Sequence, residues 1–373
     1  MKKIRLYVFL ILSLGIFFYF YKNFHFNNFI NKQTEDLLKN SPTTFQNSPA
    51  PTIFEISQTN IFVPYWNLKE NLEINTYNKI IYFSIKPNIS GEIIKDGGYT
   101  NLENFLNKTQ SLEKDKILTL QMADSATNNF LLKNPKSSQK VIENSINIAK
   151  DYKFNGITLN LELFNILDST VIEQINNLVQ QFYTEAKNEK LNFYLILYGD
   201  IFYRKRPFDV AFLANHSDGI LVMAYDFHKS GGEPGPNFPF LNKAKYGYDF
   251  QTMVDDFLKT VPREKLTIMF GMFGYDWTTD EKGRPIKPAK ALTLNEIKNN
   301  FLEDCRWQSC VIKRDHQTKE TEIDYIISNR NDNFVNLDYH IIWFEDEQSV
   351  KIKTEFLKTK GINKIAFWAY GYF

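Results

Sequence analysis

Phe154-Asn155-Gly156-Ile157-Thr158-Leu159-Asn160-Leu161-Glu162 is the stretch on which the fold turns. Side chains alternate along a strand, so Thr158, Asn160 and Glu162 share one face while Ile157, Leu159 and Leu161 share the other. In a closed parallel barrel the apolar set packs under the covering helices and the polar set lines the interior. Glu162 then stands at the C-terminal end of its strand, where barrel enzymes place their catalytic groups. Asn160 lies two residues back, at ~6.6 Å of strand rise. Strand-end glutamates also form plain ion pairs, and this stretch alone leaves the two readings level.

On either side, short β-rich runs alternate with longer helix-like stretches. The runs are Ile61–Tyr65, Ile80–Ile85, Ile117–Gln121, Gly156–Glu162, Phe193–Tyr198, Gly219–Tyr225, Leu266–Phe270 and Lys364–Ala369. Most are continuously apolar, as expected of parallel strands covered by helices. Ser138–Tyr152, Ser169–Glu189 and Ser349–Gly361 carry helical spacing, with Ser138 and Ser169 as expected N-caps and Gly361 as an expected stop. This order suits an α/β protein of the (β/α)8 TIM-barrel type better than a doubly wound sheet. The long gap before the last run holds a small α+β insertion, about residues 279–345, between strands seven and eight. Within it Cys310–Arg314 and Thr321–Ile327 read as a hairpin around residues 316–319, and Tyr339–Phe344 as a further strand.

Composition narrows the class. In 373 residues, 43% hydrophobic and 23% charged content excludes a wholly disordered chain. A net charge of +1 gives no basic surplus, so nucleic acid is not an expected partner. Two cysteines, Cys305 and Cys310, cannot build a disulfide scaffold or a four-cysteine zinc site, although they flank a four-residue loop that a local disulfide would close. The histidines His25, His216, His228, His316 and His340 show no metal-ligand spacing. Aromatic content of 16% fits either compositional bias or a sugar-stacking surface.

The N-terminus reads as a separate device. Lys2, Lys3 and Arg5 precede an uncharged apolar run from Leu6 to Tyr21, which gives ~24 Å of helix. No small-residue cleavage site follows, so residues 1–26 are expected to be an uncleaved transmembrane signal anchor with a cytoplasmic N-terminus; cleaved export is the alternative. Residues 27–58, rich in Asn, Ser, Thr and Pro, read as a flexible linker, and residues 59–373 as an extracytoplasmic barrel domain tethered to the cell membrane.

The fourth run resembles glycoside hydrolase family 18, whose corresponding strand reads Asp-Gly-x-x-x-Asp-x-Glu. Further segments resemble that family in the right order. They are Met223-Ala-Tyr-Asp226, Phe273-Gly-Tyr-Asp-Trp-Thr278, Pro288–Glu296, His340–Ser349 and Phe367-Trp368. The Gly-Tyr-Asp-Trp and Trp-Phe-Glu-Asp segments look most like the bacterial spore-germination and cell-wall glucosaminidase branch. The resemblance covers roughly residues 60–373.

It implies hydrolysis of a β-linked N-acetylglucosamine polysaccharide, peptidoglycan or chitin-like, by a monomer that needs no metal or organic cofactor. It also implies substrate assistance, an exception to the two-carboxylate scheme. Glu162 would protonate the glycosidic oxygen while the sugar's 2-acetamido oxygen attacks the anomeric carbon to form an oxazolinium ion. Asn160 stands where the family's Asp orients that acetamido group, Tyr225 would hydrogen-bond it, and Trp368 would floor the sugar. Asp226 and Tyr275 are further candidate substrate contacts; Asp276 and Trp277 beside Tyr275 are candidates for lining the cleft, Tyr65 and Trp66 after the first run for stacking, and His228 for the cleft border. For Trp277, Tyr65 and Trp66 core packing is the competing role.

Asn155 and Asn160 depart from the pattern by replacing both aspartates. Asn160 can accept a hydrogen bond but supplies no charge, and losing a charge-directed contact costs ~2–4 kcal/mol, roughly 10²–10³ in rate. It also removes an anion that would help keep Glu162 protonated. Another endoglycosidase family runs the same chemistry on an Asn–Glu pair. Two functions therefore stand after the sequence: a hydrolase, and a glycan-binding protein without turnover.

Overall fold

The computed structural model describes residues 55–69, 71–163, 168–331 and 334–373. The expected anchor and all of the linker before residue 55 lie outside them. Among the described residues no helix is long and apolar enough to cross a membrane.

Eight parallel strands close into a barrel. In chain order they are β1 (Gln58–Pro64), β2 (Lys79–Ile85), β3 (Asp115–Met122), β4 (Gly156–Leu161), β5 (Asn192–Tyr198), β6 (Gly219–Met223), β7 (Leu266–Gly271) and, after an insertion, β13 (Lys364–Trp368). Strand β13 pairs with both β7 and β1, which removes every edge.

Alternation sorts the side chains into two cores. Phe62, Ile81, Phe83, Ile117, Ile196, Leu221, Met269 and Ala366 form one cluster, the filling of the barrel. Their neighbours Ile61, Tyr82, Leu118, Leu195, Val222, Ile268 and Ile365 belong to the larger core under the helices. On β4 the phase is as the sequence required. Ile157, Leu159 and Leu161 join the outer core, whereas Thr158 and Asn160 are buried but belong to neither cluster.

The covering helices differ from expectation at their starts. Helix Pro135–Asp151 begins three residues before Ser138, because Pro135 occupies the first turn, where its fixed φ and missing N–H cost nothing. Ser138 is buried inside the helix and its hydroxyl donates to Leu131 O at 2.6 Å. Helix Ser169–Asn188 is capped by Asp168, which accepts from the Thr170 N–H, so Ser169 is already helical. Gly361 does stop the helix Glu347–Thr359, with φ +74°.

The insertion is a five-stranded antiparallel sheet in the order β10-β11-β12-β8-β9. Its members are β8 (Phe273–Thr279), β9 (Lys290–Thr293), β10 (Gln308–Arg314), β11 (Thr321–Asn331) and β12 (Phe334–Phe344). It starts at Phe273, directly after β7, rather than near residue 279, so the Gly-Tyr-Asp-Trp segment is a sheet strand and not a barrel loop. The β10–β11 hairpin forms as read, and Cys305 is disulfide-bonded to Cys310. A buried cluster ties the insertion to the barrel. Lys353 Nζ lies 2.8 Å from Glu320 Oε1 and 2.5 Å from Glu345 Oε2, and also donates to Phe238 O.

Candidate active site

The C-terminal ends of the strands open into a cleft of about 570 Å³, lined by Glu162, Asn160, Tyr225, Asp226, Tyr275, Trp368 and Trp66 among others. Glu162 is half-buried just beyond β4. Its backbone N–H continues the ladder to Met122 O at 2.8 Å, and the Asn128 amide donates to its carbonyl at 2.9 Å. The backbone that carries the acid is therefore anchored to the strand end before its side chain makes any contact.

Among the described residues, two donors reach the side chain. Asn160 Nδ2 donates to Oε1 at 3.0 Å, and the Tyr198 hydroxyl reaches Oε2 at 3.4 Å. Asn160 is only 4% exposed, and its Oδ1 has no partner among the described residues. A buried carbonyl oxygen without a donor is costly.

Tyr225 stands two residues beyond β6. Gly271 gives it room, since a Cβ there would lie 2.8 Å from Tyr225 Cβ. Burial, and then the charges of Asp226 and Glu162, hold its hydroxyl well above the usual value, so it remains a donor at neutral pH. Asp226 sits at φ +58° and accepts from the Tyr275 hydroxyl at 2.8 Å. Burial raises its carboxyl above the ordinary range, against the opposing pull of Tyr275 and Lys229. Asn237 fixes that unusual backbone: its Oδ1 accepts from the Asp226 N–H at 2.8 Å while its Nδ2 donates to Gly271 O at 3.1 Å. Trp368, at the end of β13, packs edge-on against Phe83 with ring centroids 4.6 Å apart.

The other candidates divide between the cleft and the packing around it. Tyr65 is not among the lining residues; its ring covers Gly97 and meets Trp66 edge-on. Trp66, 48% exposed, does line it. Trp277 is fully buried, with Nε1 donating to Gly232 O. Asp276 accepts from Tyr325 and His340 within the insertion. His228 is enclosed by Tyr246 and Phe227 and donates through Nδ1 to Pro236 O, and burial pushes its imidazole down to about 4. Asn155 lies at the opposite end of β4, where its Oδ1 accepts the Lys116 N–H at 2.8 Å. An amide serves there as well as a carboxylate, so that replacement carries no chemical consequence in the cleft.

Sequence reasoning missed Tyr198, Gln121, Met223, Asp200 and Tyr372, all of which line the cleft. The available signal was phase: Tyr198 follows Ile196 on β5, and Gln121 is the register partner of Asn160 on β3. Which of these approach Glu162 depends on the stagger of neighbouring strands.

Residues 53–372 match the family model "Glycosyl hydrolases family 18". The chain is 27% identical to the cortical fragment-lytic enzyme of Bacillus anthracis over 161 residues, 41% of this chain and 31% of that one. It spans less than two thirds of the length of the first curated relatives it matches. The crystal structure of the Bacillus cereus spore cortex-lytic enzyme SleL superposes with a TM-score of 0.64 at 18% identity, over 84% of this chain and 71% of that one. A Cycas revoluta family GH18 chitinase in complex with allosamidin gives 0.69 at 20% identity, over 84% and 95%. At these identities the structural likeness is one of fold.

Proposed function

The chain belongs to the glycosyl hydrolases family 18, and on that premise we propose that it cleaves a β-linked N-acetylglucosamine-containing polysaccharide outside the cytoplasm, by substrate-assisted catalysis with Glu162 as proton donor. The observation that carries this reading is the Asn160–Glu162 pair. One carboxyl oxygen accepts from the amide, and the amide's own carbonyl oxygen is buried with no donor among the described residues. A 2-acetamido group supplies an N–H for that oxygen and, through its carbonyl, the nucleophile for the anomeric carbon. The Tyr225 hydroxyl is a second donor for orienting the acetamido carbonyl.

In this scheme the Glu162 proton passes to the glycosidic oxygen as the bond to the anomeric carbon breaks. The acetamido oxygen closes on that carbon to give the oxazolinium ion. Water, deprotonated by the Glu162 carboxylate, then opens the ring. Trp368 offers an apolar floor, which suits the face of a sugar ring. The basic-then-apolar order of residues 2–21 supports a membrane anchor holding this domain on the outer side.

The test is Glu162→Gln, which keeps the shape and hydrogen bonding of the side chain but cannot donate a proton to the leaving group. Turnover of a chromogenic N-acetylglucosaminide oligomer is expected to fall by at least 10², with affinity for the same oligomer changed less than about threefold. Unchanged turnover refutes the assignment. Binding by both proteins with turnover by neither leaves a glycan-binding protein, the reading favoured by the missing charge at Asn160.

A further inference from the structure

We propose that Tyr198 is a positioning residue for Glu162, holding Oε2 of the acid and accommodating the negative charge that develops there as the proton leaves. The inference rests on the assignment of Glu162 as proton donor. Because the Asn160 amide donates to Oε1, that oxygen is engaged as an acceptor, and Oε2 is left to carry the transferable proton. The Tyr198 hydroxyl is the group at Oε2, 3.4 Å away. The two oxygens are thus addressed from two strands, β4 and β5, which sets the plane of the carboxyl and not merely its distance.

The phenol is itself held. Tyr198 is 7% exposed, and Arg206 lies over its ring with Cζ 3.7 Å from the centroid. Arg206 grips Asp200 through Nε to Oδ1 at 2.9 Å and Nη2 to Oδ2 at 3.3 Å. Arg204 pairs with the same carboxylate and donates to Phe227 O at 2.8 Å. Asp200 sits two residues beyond Tyr198 in the chain, so this short charged knot fixes the ring from behind. A structural tyrosine needs no such aim at a carboxylate oxygen.

The chemistry follows from charge development. With the proton on Oε2, the Tyr198 oxygen offers a lone pair. As that proton moves to the glycosidic oxygen, the C–O bonding pair leaves with the departing sugar and Glu162 becomes a carboxylate. The phenol then turns its O–H towards Oε2, a contact that strengthens along the step and so lowers its barrier. In the second step Oε2 recovers a proton from the attacking water, and the contact relaxes again. Tyr198 gains and loses no proton in the cycle.

Tyr198→Phe separates this role from packing through the leaving group. An N-acetylglucosamine oligomer departs as a sugar alkoxide and needs the proton; a 2,4-dinitrophenyl N-acetylglucosaminide departs without it. The variant is expected to lose about 30-fold in kcat on the oligomer and less than about threefold on the dinitrophenyl glycoside, with KM unchanged on both. Equal losses on both substrates, or a loss confined to KM, overturn the proposal. A second measurement needs no turnover. The carboxyl carbon of Glu162, labelled with ¹³C, is expected to titrate at a higher pH in Tyr198→Phe than in the parent, because a donor to the carboxylate has been removed. Asp226, Lys229, Asp200 and Arg206 share the cleft or the knot and are the same in both proteins. An unmoved midpoint overturns the role of Tyr198 even if the parent is inactive, whereas inactivity of the parent with a shifted midpoint counts only against the proposed reaction.

Discussion

Asn160→Asp puts a carboxylate where, in the proposed reaction, the oxazolinium ion would form, and the geometry sets what that carboxylate can do. The amide nitrogen it replaces lies 3.0 Å from Glu162 Oε1. Two ionised carboxylates at that separation repel by about 5–6 kcal/mol at an effective dielectric constant of about 20, roughly four powers of ten against double ionisation. The pair would therefore share one proton across neutral pH, and a shared proton keeps the acid armed. Once it is delivered, the residual negative charge faces the cation at sugar-contact distance, where a charge-directed contact is worth ~2–4 kcal/mol. Surroundings adapted to an amide take back part of this, so the expected gain in kcat is about 10-fold. The alkaline limb of the pH–rate profile should move to higher pH. The assay is steady-state hydrolysis of a chromogenic N-acetylglucosaminide oligomer from pH 4 to pH 9, for parent and variant. A fall in activity with Asn160→Asp, while Glu162→Gln still abolishes turnover, refutes the charge argument. The amide would then be the working group, through the carbonyl oxygen now left without a partner.

Three more outcomes are expected. Trp368→Ala removes the ring that packs on Phe62 and Phe83 and that we propose as the sugar's floor, and should weaken oligosaccharide binding by ~10-fold or more with the fold intact, read by calorimetry and circular dichroism. Burial pushes the Glu345 carboxyl up to about 8 against the pull of Lys353, with Glu320 on the same ammonium adding to the rise. The native state then keeps a proton that the unfolded chain releases near pH 4–5, so stability should fall as pH rises from about 5 to 8. Glu345→Gln, isosteric with the protonated acid, should flatten that slope in urea midpoints; an unchanged slope refutes the assignment. For the anchor, protease added to intact cells should remove a C-terminal tag, and a tag protected until lysis counts against the outside location.

Periodicity and residue type determined the barrel. Eight apolar runs with intervening helical spacing leave few ways to bury both faces of a parallel sheet, and strand alternation placed Asn160 and Glu162 inward because its period of two is a local property of the chain. Trp368, Tyr225 and Asp226 were legible through the family resemblance of their segments, and they share one cleft because they sit at strand ends, which a barrel gathers at one rim. Helix starts were less so: Pro135 and Asp168 outcompeted the serines as boundary signals, a contest settled by backbone geometry at one or two residues. Tyr65, Asp276 and Trp277 were read towards a cleft they do not line: Tyr65 turns onto Gly97, while Asp276 and Trp277 sit on a strand of the insertion sheet and bond to Tyr325, His340 and Gly232. Only the tertiary structure decided what Glu162 touches. The donors to it come from β4 and β5, the second of them 36 residues from Glu162 in sequence, and their convergence depends on the stagger of neighbouring strands, which no local pattern encodes. The same holds for Asn237, whose amide shapes the backbone at Asp226 from 11 residues further along the chain. Side-chain facing follows from the chain itself; side-chain meeting follows from how distant strands are set against one another.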